Sequence, residues 1–195
     1  MNTILRNSLA ALSICASFSA HAATDTYGTL LSGTFQPTDP FATLTYSNVG
    51  NVYSFNLTAF DLNSIFTNGA FIGAIAVDSG ISPTVSNVVG DAPVSVSPGG
   101  GPTGVFDFRF DLTGPQQARL TALESVSFDA TFSQPVTLTS SSFALHVQGL
   151  TEAQGGSAWY TSTPAIPEPE TYALMLAGLG LLGFMANRRK NTNYC

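Results

Sequence analysis

An all-β fold follows from three features of the sequence. Apolar and polar residues alternate with a period of two over most of its middle, clusters of Gly, Pro, Asn, Asp and Ser separate the alternating runs, and only 9% of the 195 residues are charged. Alternation at that period marks strands that bury one face, as antiparallel strands do. A charged fraction well under the roughly 25% of ordinary soluble domains suits an exported β protein better than a helical enzyme. The length has room for one domain, so the expectation is an antiparallel β-sandwich of the jelly-roll or immunoglobulin-like kind.

The first 22 residues stand apart. "MNTILRNSLAALSICASFSAHAA" has Arg6 near its start, an apolar stretch from Leu9 to Phe18, and Ala20-His21-Ala22 just before Ala23. Charge, apolar run and small residues in that order form a secretory signal peptide (1–22), cleaved after Ala22. The apolar stretch is too short to be an uncleaved anchor. Ile14 is too bulky for the position before a lipoprotein cysteine at Cys15. The exported domain, 23–163, has no cysteine, since Cys15 leaves with the leader and Cys195 lies at the far end. Disulfides and cysteine-held metals are excluded from it.

Along that domain "TYGTLLSGTF" (26–35) and "FATLTYS" (41–47) read as strands. In "NVYSFNLTAF" (51–60), Tyr53, Phe55, Leu57 and Ala59 share a face opposite Ser54, Asn56 and Thr58. "AFIGAIAVD" (70–78) is apolar on both faces, as a central strand is. "GVFDFRFDL" (104–112) sets Phe106, Phe108 and Phe110 against Asp107, Arg109 and Asp111. "SVSFDATF" (125–132) aligns Val126, Phe128, Ala130 and Phe132, and "SFALHVQGL" (142–150) aligns Phe143, Leu145 and Val147. Turn residues fall between them, at Pro40, 47–51, Gly69, 78–80 and "SPGGGPTG" (97–104). One segment breaks the pattern. "TGPQQARLTALESV" (113–126) has proline at a first-turn position and Leu120 and Leu123 at helical spacing, which predicts one short helix. Residues 155–167, "GGSAWYTSTPAIP", lose the alternation and read as a linker. The sequence therefore predicts seven to nine strands and one helix.

Chemistry is sparse. From Thr24 to Ile166 there are ten acids against Arg109 and Arg119 alone. Such a span repels phosphate backbones, so nucleic acid is excluded as a partner. His146 is its only histidine, on the polar face of its strand, and no serine sits in a G-x-S-x-G elbow. A secreted hydrolase thus lacks a catalytic set. Asp107 and Asp111 lie about 13 Å apart at strand rise, too far for a carboxylate dyad but suited to a ladder with Arg109 between them. Asp39, Asp78 and Asp91 are candidate calcium ligands, yet no D-x-D-x-D-G loop gathers them. Trp159 and Tyr160 could stack on sugars. Neither metal nor cofactor is expected, and the alternatives to a structural protein are first a carbohydrate- or calcium-dependent binding module, an adhesin, and second a secreted hydrolase.

The C-terminal segment is the most informative. "YALMLAGLGLLGFMA" (172–186) is uncharged and apolar, and as a helix it reaches about 23 Å against the roughly 30 Å of a hydrocarbon core. Flanking residues and snorkelling by Arg188, Arg189 and Lys190 make up the difference. The basic end places residues 191–195 in the cytoplasm, which makes the chain a type I single-pass precursor. Gly178, Gly180 and Gly183 spell G-x-G-x-x-G, but Pro167-Glu168-Pro169 stands where a Rossmann fold needs a strand, and no acid follows Glu170. The glycines belong to a membrane helix.

Pro167-Glu168-Pro169, then a short Leu/Gly/Ala-rich helix, then Arg188-Arg189-Lys190 resembles the PEP-CTERM protein-sorting signal. The resemblance covers 164–190 and no more of the chain. It implies a substrate of exosortase, a transpeptidase-like membrane enzyme of Gram-negative bacteria that make exopolysaccharide, cutting near the Pro-Glu-Pro. By that resemblance the protein passes through the inner membrane and ends at the cell surface or in the extracellular matrix, associated with exopolysaccharide or biofilm, and the want of a catalytic set makes a non-enzymatic protein the expectation.

Overall fold

The computed structural model describes residues 21–163 except Asn68 and Thr103, together with residues 178, 179 and 182. The described strands are β1 (His21–Ser32), β2 (Ala42–Val49), β3 (Val52–Ala59), β4 (Phe71–Val77), β5 (Thr84–Gly90), β6 (Ser95–Gly100), β7 (Phe106–Asp111), β8 (Ser125–Thr131), β9 (Phe143–Gln148) and β10 (Ser157–Ser162). A four-residue helix, α1 (Leu62–Ile65), follows β3. All of them lie in the first of two compact units, Met1–Thr163, the second being Pro164–Cys195.

Every pairing is antiparallel, and the ten strands form one sheet in the order β5-β8-β3-β2-β1-β10-β9-β4-β7-β6. β1 joins its two halves. It pairs with β2 from His21 to Tyr27 and with β10 from Tyr27 to Ser32, with register shifts after Tyr27 and after Leu30. Irregularities of that kind bend a strand and let it pass from one layer to another. The inner faces then meet. Tyr46 of β2 packs on Phe143 of β9 with ring centroids 4.9 Å apart, and Phe128 of β8 on Phe110 of β7 at 4.8 Å. The edge strands β5 and β6 approach one another, so the sheet is nearly closed. One core results, in which Phe41, Phe55, Phe108, Phe110, Phe128 and Phe143 are almost wholly withdrawn from water. Each such ring contributes about 1.5–3 kcal/mol through burial.

The all-β expectation holds, with three corrections. First, 113–126 is not helical. The segment crosses the end of the sheet, where Leu120 bridges to Ile72 and Ala122 to Asp61. The Glu124 carboxylate accepts N–H bonds from Thr121 at 2.5 Å and Ala122 at 3.3 Å, which turns the chain back on itself. Leu120 is buried, but Leu123 is 80% exposed at φ 59°, so the two leucines never share a helical face. Among the described residues of the domain, the α-helix lies at Leu62–Ile65 instead.

Second, the supposed linker from 155 contains β10, which lies mid-sheet between β1 and β9. Ala158 and Tyr160 point into the core. Third, the supposed turn at 97–104 is entered late, because β6 stays paired with β7 as far as Gly100 opposite Phe106. Among the described residues there are ten strands rather than seven to nine.

Among the described residues no helix is long and apolar enough to cross a membrane. The expected span 172–186 lies outside the described residues except for 178, 179 and 182, as does the leader up to Ala20.

Candidate functional site

The outward face of β4 is made of almost nothing. Its inward side chains are Ile72, Ile75 and Val77, all core members, while Gly73, Ala74 and Ala76 are left for the other side. A bulge at Gly73 sets two residues, Gly73 and Ala74, against His146 of β9. Bulges re-aim side chains in this way beside functional sites. Across the sheet one row then runs in register from Trp159 on β10 to His146, Ala74, Asp111 on β7 and Ser95 on β6. Neighbouring strands lie about 4.8 Å apart, so His146 and Asp111 stand about 10 Å apart with only a methyl group between them. The outcome is a trough of about 400 Å³ on the outer face.

One wall is aromatic. The His146 imidazole and the Trp159 indole stack with centroids 4.3 Å apart and planes 5° from parallel. The opposite wall is an ion pair: Arg109 Nε donates to Asp111 Oδ1 at 2.5 Å. Ser97 Oγ donates to the other Asp111 oxygen, and Arg109 Nη1 reaches the Gly99 carbonyl at 3.3 Å. Gln148 and Thr113 line the remainder and bring an amide and a hydroxyl. Burial, with the Arg109 charge adding to it, holds the His146 imidazole below its ordinary value, although Asp111 pulls the other way. His146 is therefore neutral at pH 7. Since Arg109 is matched by Asp111, the trough lining carries no net charge.

The sequence candidates fare unequally. His146 faces outward as expected but is half-buried against Trp159 rather than freely exposed. The Asp–Arg–Asp ladder is reduced to a pair, because Asp107 turns away to accept N–H bonds from Ser79 at 2.9 Å and Gly80 at 2.6 Å. Trp159 and Tyr160 do not act together. Tyr160 is fully buried, its hydroxyl donates to the Phe35 carbonyl at 2.8 Å, and burial pushes it up to about 12. Among the described residues no three His, Cys, Asp or Glu side chains gather into a cluster fit for a metal ion. Ser97, the serine bonded in the wall, donates to Asp111 and not to His146. What sequence reasoning missed is Gln148 and Thr113, and the small residues on β4 were the available signal.

A second cavity, about 480 Å³, lies beside Ala23, Tyr46 and Tyr53 under the segment 136–140. Its polar groups hold that segment: Tyr53 Oη donates to the Val136 carbonyl at 3.0 Å and accepts from Leu138 N at 3.2 Å.

Thr163 N donates to the Thr26 carbonyl at 2.7 Å, so the chain leaves β10 beside the middle of β1. Ala22 and Ala23 of the proposed cleavage site lie in β1, opposite Ser47 and Tyr46. Ala20, Pro167, Glu168, Pro169, Arg188, Arg189 and Lys190 are outside the described residues.

The parts so far are an antiparallel β domain with a shallow outer trough and an appended C-terminal segment. That segment, residues 165–190, matches the family model of the PEP-CTERM protein-sorting motif. No curated protein and no solved structure matches the chain. The tail is thus a sorting signal of the exosortase type, the mark of an exported protein.

Proposed function

We propose that the protein is a non-enzymatic surface or extracellular-matrix protein, delivered by an exosortase-type enzyme and associated with exopolysaccharide or biofilm. The observation that carries this reading is the sorting motif at 165–190, which begins two residues after the end of the folded domain at Thr163. Pro167 follows Thr163 by four residues, a reach of at most about 14 Å. The processing enzyme therefore works close to the folded domain. Cleavage after Ala22 would remove His21 and Ala22 from β1 and leave the pairs from Ala23↔Tyr46 to Tyr27↔Ala42 intact. The mature product is about 23–166, an acidic β domain whose two facing layers, joined by β1, we read as a sandwich.

Before processing, 172–186 spans the inner membrane of a Gram-negative cell, with Arg188, Arg189 and Lys190 on the cytoplasmic side. The double variant Pro167→Ala, Pro169→Ala tests the sorting role by cell fractionation. It is expected to accumulate in the inner membrane, and a distribution identical to that of the wild type would remove the role assigned to the motif.

The second reading, an adhesin that binds carbohydrate, is favoured by the trough and its aromatic wall.

A further inference from the structure

We propose that the trough across β10, β9, β4 and β7 is a binding site for a neutral, hydroxyl-rich saccharide chain. The proposal deepens the adhesin reading and rests on it, but it is independent of how the tail is processed. Three observations carry it. The first is shape: Ala74 and the bulge at Gly73, over which the Gln148 side chain lies, sink the sheet surface between two raised walls about 10 Å apart. A sugar ring has room there, and an open trough lets a longer chain run through.

The second is the aromatic wall. Sugars present apolar C–H faces that lie against flat rings, and Trp159 with His146 makes a rigid double plate. A stacked pair needs little ordering when a ligand arrives, which keeps the entropic cost of binding low.

The third is charge. Arg109 is held by Asp111, and Asp111 also takes the Ser97 hydroxyl. Arg119 is laid over the Phe71 ring, 4.3 Å from its centroid, and does not line the trough. No uncompensated cation is therefore offered to a carboxylate, sulfate or phosphate, and the acids of the domain repel polyanions at longer range. What the wall does offer is mixed: guanidinium N–H donors beside carboxylate acceptors, with the Gln148 amide and Thr113 hydroxyl nearby. Paired donors and acceptors suit vicinal hydroxyls, which both give and receive hydrogen bonds.

Trp159 is the single tryptophan of the chain, so its emission reports on this wall alone. The full chain, in a detergent without a sugar headgroup, is titrated with neutral glucose hexamers of β-1,4, α-1,4 and β-1,3 linkage and with a hexagalacturonate. At least one neutral hexamer is expected to change the emission saturably, with the uronate at least about tenfold weaker. Calorimetry on Trp159→Ala is expected to show about tenfold weaker binding, because the indole that backs and holds the His146 ring is lost. Gln148→Ala, which leaves the core untouched, is expected to weaken binding without moving the urea midpoint. Ser54→Ala, on the outer face of the other half of the sheet, is expected to leave binding unchanged. A flat response to every neutral hexamer overturns the proposal, as does a preference for the uronate or equal binding by Gln148→Ala. Saccharide binding alongside an unaltered cellular distribution of Pro167→Ala, Pro169→Ala supports the trough and contradicts the sorting role, so the two failures are distinguishable.

Discussion

Asp107 shows how a charge the sequence placed in a ladder came to serve a turn. Its carboxylate sits on β7 but accepts the Gly80 and Ser79 N–H groups, and those bonds hold it below the ordinary carboxylate value. Asp129 is lowered for a similar reason, by the Asn87 amide first and then the Ser54 hydroxyl. A carboxylate whose folded value is depressed stabilises the fold above its unfolded value, near 3.8 for both, and that contribution is lost as pH falls through the folded value. Urea midpoints of the wild type are thus expected to fall steeply below about pH 4, and those of Asp107→Asn to start lower and fall less. His146 is also depressed in the fold, so its contribution is complete above its ordinary value of 6.5 and is lost as pH falls below it towards the folded value. Imidazole NMR signals are expected to titrate below that value. Leu123 tells the same lesson from the backbone. At φ 59° and 80% exposed it occupies a left-handed conformation for no gain in burial. Leu123→Gly is expected to stabilise the protein by about 1 kcal/mol, read as a raised urea midpoint.

Among elements, legibility followed burial of one face only. β3, β7 and β8 each bury alternate residues, and their patterns could be read directly from the sequence. β4 is buried throughout, and its uniform apolarity correctly marked a central strand. β5 leaves all but one residue exposed, with a register shift and Asn87 at φ 53°, so no alternation exists to be seen. Short, irregular, water-facing edges of that kind resist pairing with other chains. β10 is different. Its alternation, Ala158 and Tyr160 in against Trp159 out, is present but spans so few residues between Gly155-Gly156 and Pro164 that glycine and proline dominate the impression. The trough inherits this difficulty, because Trp159, His146 and Arg109 come from three strands whose order the sequence does not state. The false helix has a related cause: Leu120 and Leu123 have helical spacing, but long-range bridges from Leu120 and Ala122 outweigh a local preference. Where the inner faces of the sheet meet, single rings matter. Phe110 packs against Phe55, Phe108 and Phe128, and Phe110→Ala is expected to cost about 3–5 kcal/mol by urea unfolding.

At the scale of the molecule, the first and last strands lie side by side in the middle of the sheet. β1 bonds to β10, and β10 to β9, so the two halves cannot join until the final strand arrives. A chain stopped after Gly156 is expected to lose cooperative unfolding, and one stopped after Thr163 to keep it, as measured by circular dichroism on heating. The sorting role rests on the address in the tail, and intact mass measures it most directly. Protein recovered from cells that contain the exosortase-type enzyme is expected to begin at Ala23 and end near Ile166. From cells lacking the enzyme it should keep every residue through Cys195. A chain that still ends at Cys195 in both would contradict the account.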